Sequence, residues 1–190
     1  MLRIAEEMLL RDGYGEVTVR DIADASGTSA ETIYKTYGGK AGIVAAIQEL
    51  RLEGAGPIPA PERSDAMSER ERSADVILRN WATLATEVAP RGMPIVLLVR
   101  SAAGTDPQMA ALWERMSDQR RERMLHNAER LLATGHVRGA MTVEQVRDVL
   151  YAYLTPDLYA YLVLQAGWTV EQFGDFLYRG MRSQLLDPRP

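Results

Sequence analysis

Apolar residues recur along this chain at intervals of three and four, and no segment alternates over the length of a strand. The pattern predicts an all-α protein. A first short helix carries Ile4, Ala5, Met8 and Leu9 on one face and stops at Gly13. A second begins where Thr18 and Asp21 have the spacing of a capping box, buries Val19, Ile22 and Ala23, and breaks at "SGTS". Ser29 is placed to cap a third, very short helix. A fourth starts near Lys40 with Ile43, Val44, Ile47 and Leu50 at helical spacing. The stretch "GAGPIPAPERSD" follows, and its glycines and prolines predict a mobile connection. The expected organisation is therefore a helical domain over 1–50, a connection with the end of the fourth helix over 51–66, and a larger helical domain over 67–190.

In the larger part, 67–88 reads as a helix ended by Pro90, 94–103 as a short one, and Pro107 opens a long one running to Gly135. Thr142 with Gln145, and Thr169 with Gln172, have capping-box spacing and start the last two long helices, the first of them kinked at Pro156.

Composition changes this picture mainly by exclusion. The chain has 190 residues and no cysteine, which removes disulfides, thiol nucleophiles and cysteine metal sites. Its longest apolar run, "MPIVLLV", is well short of the ~18 residues of a membrane span. A cytoplasmic protein with no membrane partner is expected. The net charge is −4, and the first 50 residues carry five basic against eight acidic side chains. Bulk charge thus gives no footprint for nucleic acid, so any such role must come from arrangement. Only two histidines occur, His126 and His136, with no metal-ligand pairing, nucleophile elbow or phosphate-binding glycine loop. Neither an enzyme nor a cofactor or metal is expected.

The arrangement that matters is the second helix, the turn at Ser26, Gly27 and Thr28, and the short third helix. That is the layout of a helix-turn-helix, whose second helix enters the DNA major groove. Ile33 is the one strongly apolar residue of the third helix before Tyr34 and must face inward. Ser29, Ala30, Glu31, Thr32, Tyr34 and Lys35 are left facing wholly or partly outward. Thr32 can meet a base edge or a thymine methyl, Tyr34 and Thr36 can donate to phosphate, and Lys35 and Lys40 can neutralise it. Thr18 and Arg20 can reach the flanking backbone or a guanine. The same residues also suit a small helical subdomain with a solvated polar face.

From Ile4 and Ala5 through "VTVRDIADASGTS" and most strongly over "TIYKTYGGKAGI", the sequence resembles the TetR family of one-component transcriptional regulators. "GTDPQMAALWERM" and the segment from "RGAMTVEQ" to "FGDFL" resemble the ligand-binding domain of a subgroup of that family. The resemblance implies an amino-terminal three-helix reading domain, a carboxy-terminal domain that dimerises and holds a small molecule, and repression of an operator in double-stranded DNA. The sequence departs from the family at Thr28, at Glu31 where glycine is favoured, and at Gly39 and Ala41 around Lys40. Glu31 either accepts from a cytosine amino group or opposes phosphate.

The last two helices carry more apolar residues than one core face needs, among them Tyr153, Leu158, Tyr161, Phe176 and Gly180, and predict a homodimer. Trp81, Leu84, Leu98, Met109, Trp113, Met116 and Tyr151 are the candidate ligand-binding set, matching an apolar or aromatic molecule, although residues of these types at helical spacing also make ordinary core. The rival to a DNA-binding regulator is a helical small-molecule or partner-binding protein that has no sequence-specific DNA binding.

Overall fold

A computed structural model describes residues 1–54 and 58–187. The elements are α1 (Leu2–Asp12), α2 (Val19–Ser26), α3 (Ala30–Tyr37), α4 (Lys40–Leu52), α5 (Ala60–Arg70), α6 (Ala74–Ala102), α7 (Pro107–Leu132), α8 (Val143–Tyr153), α9 (Pro156–Tyr159) running into a π-helical turn at Ala160–Gln165, and α10 (Val170–Leu185). All three capping boxes form as their spacing predicts: Thr18 with Asp21, Thr142 with Gln145 and Thr169 with Gln172. Ser29 caps α3 by accepting from the Thr32 amide.

Proline accounts for where the helices differ from expectation. The connection predicted over 51–66 contains α5, because Pro59 and Pro61 stand at the start of a helix, where a missing N–H removes no bond. Residues 55–57 of that stretch lie outside the described residues. Conversely, Pro90 and Pro94 do not divide α6, which continues through both. An interior proline costs about 3 kcal/mol. Burial of Ile95, Val96 and Val99 beyond them offsets that cost. Pro156 ends one helix and opens the next rather than kinking a single one.

Two compact units result. The first comprises Met1–Leu52 with Arg91–Met116, the second Glu53–Pro90 with Ser117–Pro190. The sequence places 91–116 in the larger domain, whereas here Ile95, Val99, Met109 and Leu112 join one apolar cluster with Leu9, Ile22, Ile33 and Ile47. Three short helices bury too little surface alone, and the added segments enlarge their core. Within this unit Arg51 forms a two-pronged ion pair with the buried Glu6, tying α4 to α1.

In the second unit α5 is held to α7 by Asp65 with Arg123 and His126, and by Glu69 with Arg130. Burial raises the Asp65 carboxyl, but Arg123 and His126 outweigh it and leave its pKa below the ordinary value. Asp75 accepts from both the Tyr178 hydroxyl and Arg182 at 2.8 Å, joining the start of α6 to α10. Among the described residues α6 alone is long and apolar enough to cross a membrane by composition. Its Ile77, Leu78, Trp81, Ile95 and Val99 are buried against the protein itself.

Candidate nucleic-acid interface

The α2–α3 corner is built by local rules. Thr18 accepts from the Asp21 amide while Asp21 accepts from the Thr18 amide and hydroxyl, which fixes the first turn of α2. These bonds hold the Asp21 carboxyl below its ordinary pKa. α2 ends on Gly27 at φ 67°, a left-handed conformation that glycine adopts without a Cβ penalty. Two residues later Ser29 caps α3. Ile33 is fully buried and anchors α3 to the core, so the opposite side of a two-turn helix must face solvent.

The outward side holds most of the predicted residues. Thr18, Arg20, Ser29, Glu31, Thr32, Tyr34, Lys35 and Thr36 are exposed, and Ala30 is half-buried. Tyr34 is 57% exposed, and Gly39 lies beneath its ring, where a Cβ would sit 3.5 Å from Cε1. The Ser29 and Thr32 hydroxyls bond each other at 2.8 Å. The side chains of Glu31, Tyr34 and Lys35 have no hydrogen-bond or ion-pair partner among the described residues. Such a surface offers phosphate donors and two cations, Arg20 and Lys35, beside side chains able to meet base edges.

Lys40 differs from its sequence expectation as a phosphate-neutralising lysine. Its Nζ donates to the carbonyls of Tyr14 and Val17 at 2.5 and 2.7 Å and lies 4.1 Å from the centre of the Tyr14 ring. Burial lowers its pKa, against the attraction of Asp106. Asp106 caps α7, accepting from the amides of Gln108 and Met109, and stands close enough to the Tyr14 hydroxyl to influence its ionisation. Burial first, and Asp106 second, push the Tyr14 pKa up to about 12. The loop leading to α2 is thus pinned from α4 and approached from the start of α7. Sequence reasoning could see Asp106 only as a cap before Pro107; its pairing with Tyr14 spans too many residues for any spacing rule.

This geometry separates the two lysines. Lys40→Ala is expected to lower the melting temperature by several degrees, since each hydrogen bond to a charged group contributes about 1.5–3 kcal/mol. Lys35→Ala should leave melting unchanged and lower the salt slope of DNA binding by about one for each phosphate no longer neutralised. Calorimetry and salt titrations of both variants check this; equal melting losses would contradict the separation.

The candidate ligand set divides. Leu98, Met109, Trp113 and Met116 lie in the first unit, with Met109 and Met116 in its buried core and Leu98 and Trp113 packed against that core. Trp81, Leu84 and Tyr151 lie in the second unit. Trp81 is 4% exposed, and its indole Nε1 is buried with no hydrogen-bond partner among the described residues. Tyr151 accepts a 2.6 Å bond from Arg120, whose guanidinium stands 4.5 Å from the ring centre.

The apolar surplus near the carboxy terminus is also sorted. Val146, Leu150, Leu162, Phe173, Leu177 and Met181 are internal, whereas Tyr161 and Leu164 on the π-helical turn are 61% and 55% exposed. Nearby, Trp168 stacks edge-on against Phe176 at 5.9 Å, and these two line an open groove along α10 with Gln172, Asp175 and Arg179. An exposed π-helical segment bearing large apolar side chains is uncommon and tends to occur at functional sites.

Residues 2–47 match the family model described as bacterial regulatory proteins, tetR family. No curated protein matches the chain. Among solved structures, a protein assigned as a transcriptional regulator from Saccharomonospora viridis, in complex with choline, is similar at 19% identity, covering 98% of this chain and 96% of that one with a TM-score of 0.71. NalD of Pseudomonas aeruginosa, the secondary repressor of the MexAB-OprM multidrug efflux pump, is 16% identical over 97% of this chain and 93% of its own, with a TM-score of 0.73. SmeT in its triclosan complex is 17% identical over 100% and 95% respectively, with a TM-score of 0.74. At these identities the likeness concerns the fold.

Proposed function

From the match of residues 2–47 to the model of the tetR family of bacterial regulatory proteins, we propose that the chain is a ligand-responsive repressor that binds a palindromic operator as a homodimer in the cytoplasm. The observation that carries this reading is the capped α2–Gly27–α3 corner. It presents a polar helix face on which the side chains of Glu31, Tyr34 and Lys35 have no hydrogen-bond or ion-pair partner among the described residues. Thr18, Arg20, Tyr34, Lys35 and Thr36 serve as phosphate and flanking contacts, Ser29 sets the start of α3, and Ala30, Glu31 and Thr32 stand where the first turn meets base edges. Lys40 acts mainly by holding the preceding loop, with its third N–H free for phosphate.

Two-fold protein symmetry is mirrored in such an operator, with the half-site separation set by the distance between the two reading helices. Footprinting on DNA from the gene's own upstream region tests this. A symmetric protected site supports it, and a single asymmetric site bound by a monomer rejects it.

The effector is an apolar or aromatic small molecule bound in the second unit. Related folds that hold choline and triclosan support a ligand site, and the buried indole N–H of Trp81 offers one donor for an acceptor atom on the ligand. Release requires that the effector prefer the conformation that does not fit the operator, because equal affinity for both conformations shifts nothing. Linkage then makes operator DNA weaken effector binding by the same factor. A screen of apolar and aromatic compounds by tryptophan fluorescence, with and without operator, is expected to find ligands that bind more weakly when DNA is present. Trp81→Phe should reduce both signal and affinity. Ligands that bind equally well with and without operator would reject the switch.

A further inference from the structure

The two possible roles of Glu31 have opposite consequences, and the local geometry separates them. Glu31 is the second residue of α3 and follows the Ser29 cap by two positions, in the part of a recognition helix that contacts base edges. Lys35 lies four residues on, in the orientation that most favours a Glu–Lys ion pair along a helix. No such pair forms among the described residues, so the carboxylate is not engaged by its own helix. Among its neighbours at this turn, the only side-chain donor is the one hydroxyl proton that the Ser29–Thr32 pair does not use between its own oxygens. Ala30 has only a methyl group, and the Thr32 hydroxyl is engaged with Ser29 Oγ at 2.8 Å, leaving its methyl as the free branch. The first turn therefore shows DNA one acceptor-only carboxylate flanked by methyl groups.

In the major groove a carboxylate can be satisfied only by an exocyclic amine. Adenine sets its N7 acceptor beside that amine, whereas cytosine presents N4 next to a plain C–H. The methyl of Thr32 matches the methyl of thymine. Resting on the DNA-binding function proposed above, we infer that Glu31 is a specificity-determining residue that accepts from cytosine N4, and that Thr32 reads an adjacent thymine methyl. Each operator half-site then contains a cytosine and a thymine read by consecutive side chains of α3.

The test uses the full-length protein. Duplexes selected from a random pool by wild type should show a cytosine position that Glu31→Ala no longer distinguishes. Glu31→Gln should favour adenine there, because glutamine supplies both the acceptor for N6 and the donor for N7. On the selected duplex, N4-methylcytosine at that position, which keeps its pair with guanine but blocks the groove-facing N–H, should weaken wild type about tenfold. It should leave Glu31→Ala unchanged. Deoxyuridine in place of the thymine should weaken wild type and not Thr32→Ala. If all three Glu31 proteins select the same bases, the assignment is overturned while DNA binding stands; if wild type selects no sequence, both fall.

Discussion

Gly42→Ala is expected to destabilise the first unit and abolish operator binding. A Cβ built on Gly42 would lie 1.6 Å from the carbonyl oxygen of Tyr37 and 2.8 Å from its carbon, where α4 packs against the end of α3. Alanine normally favours a helix interior by about 1 kcal/mol over glycine. Here the opposing atom is backbone at the last residue of α3, so it can move only by moving the recognition helix. Overpacking of this severity costs about 3 kcal/mol or more and outweighs the gain in propensity. Calorimetry should show a drop of many degrees for the transition of the first unit, accompanied by loss of the footprint. A variant that melts and binds like wild type would mean that α3 and α4 do not approach this closely.

Charging the exposed apolar turn should separate the subunits of the homodimer proposed above. Tyr161 and Leu164 project from a π-helical segment that packs Leu162 inward, and Trp168 and Phe176 lie on the adjoining stretch of chain and on α10. Burial of large exposed side chains of this kind against a second copy favours association by about 1.5–3 kcal/mol for each one fully covered. Glu at both positions would place carboxylates in that interface instead. The double variant Tyr161→Glu with Leu164→Glu is expected to sediment as a folded monomer whose melting temperature is lower than that of the wild-type dimer and no longer depends on protein concentration, because association stabilises the folded state by mass action. Its operator affinity should fall about 10²–10⁴-fold, since the two half-sites are then bound independently. A double variant that still sediments as a dimer would place the interface elsewhere.

The amino-terminal helices were legible because their determinants are local. Capping pairs three residues apart, the glycine after α2 and the inward Ile33 each act within one or two turns, so spacing in the sequence is spacing in space. The exposed face of α3 follows from those same few residues. Prolines 59, 61, 90 and 94 were harder to place. Their effect depends on whether each starts a helix or lies in one whose burial offsets the missing hydrogen bond, and burial is a property of the packed chain.

The candidate ligand residues show the same divide. Aromatic and Met side chains at helical spacing announce contact without saying with what, and packing assigns Met109 and Met116 to the core that supports the reading helices. By itself the sequence determined the all-α class, the capped starts of α2, α3, α8 and α10 and the corner between α2 and α3, because each rests on interactions between near neighbours. Tertiary structure alone decided that 91–116 completes the first unit, that Lys40 grips the loop of Tyr14 with Asp106 close by, and that Glu6 finds Arg51. Those partners lie tens of residues apart, and what joins them is the burial of shared apolar surface, which no periodicity along the chain records.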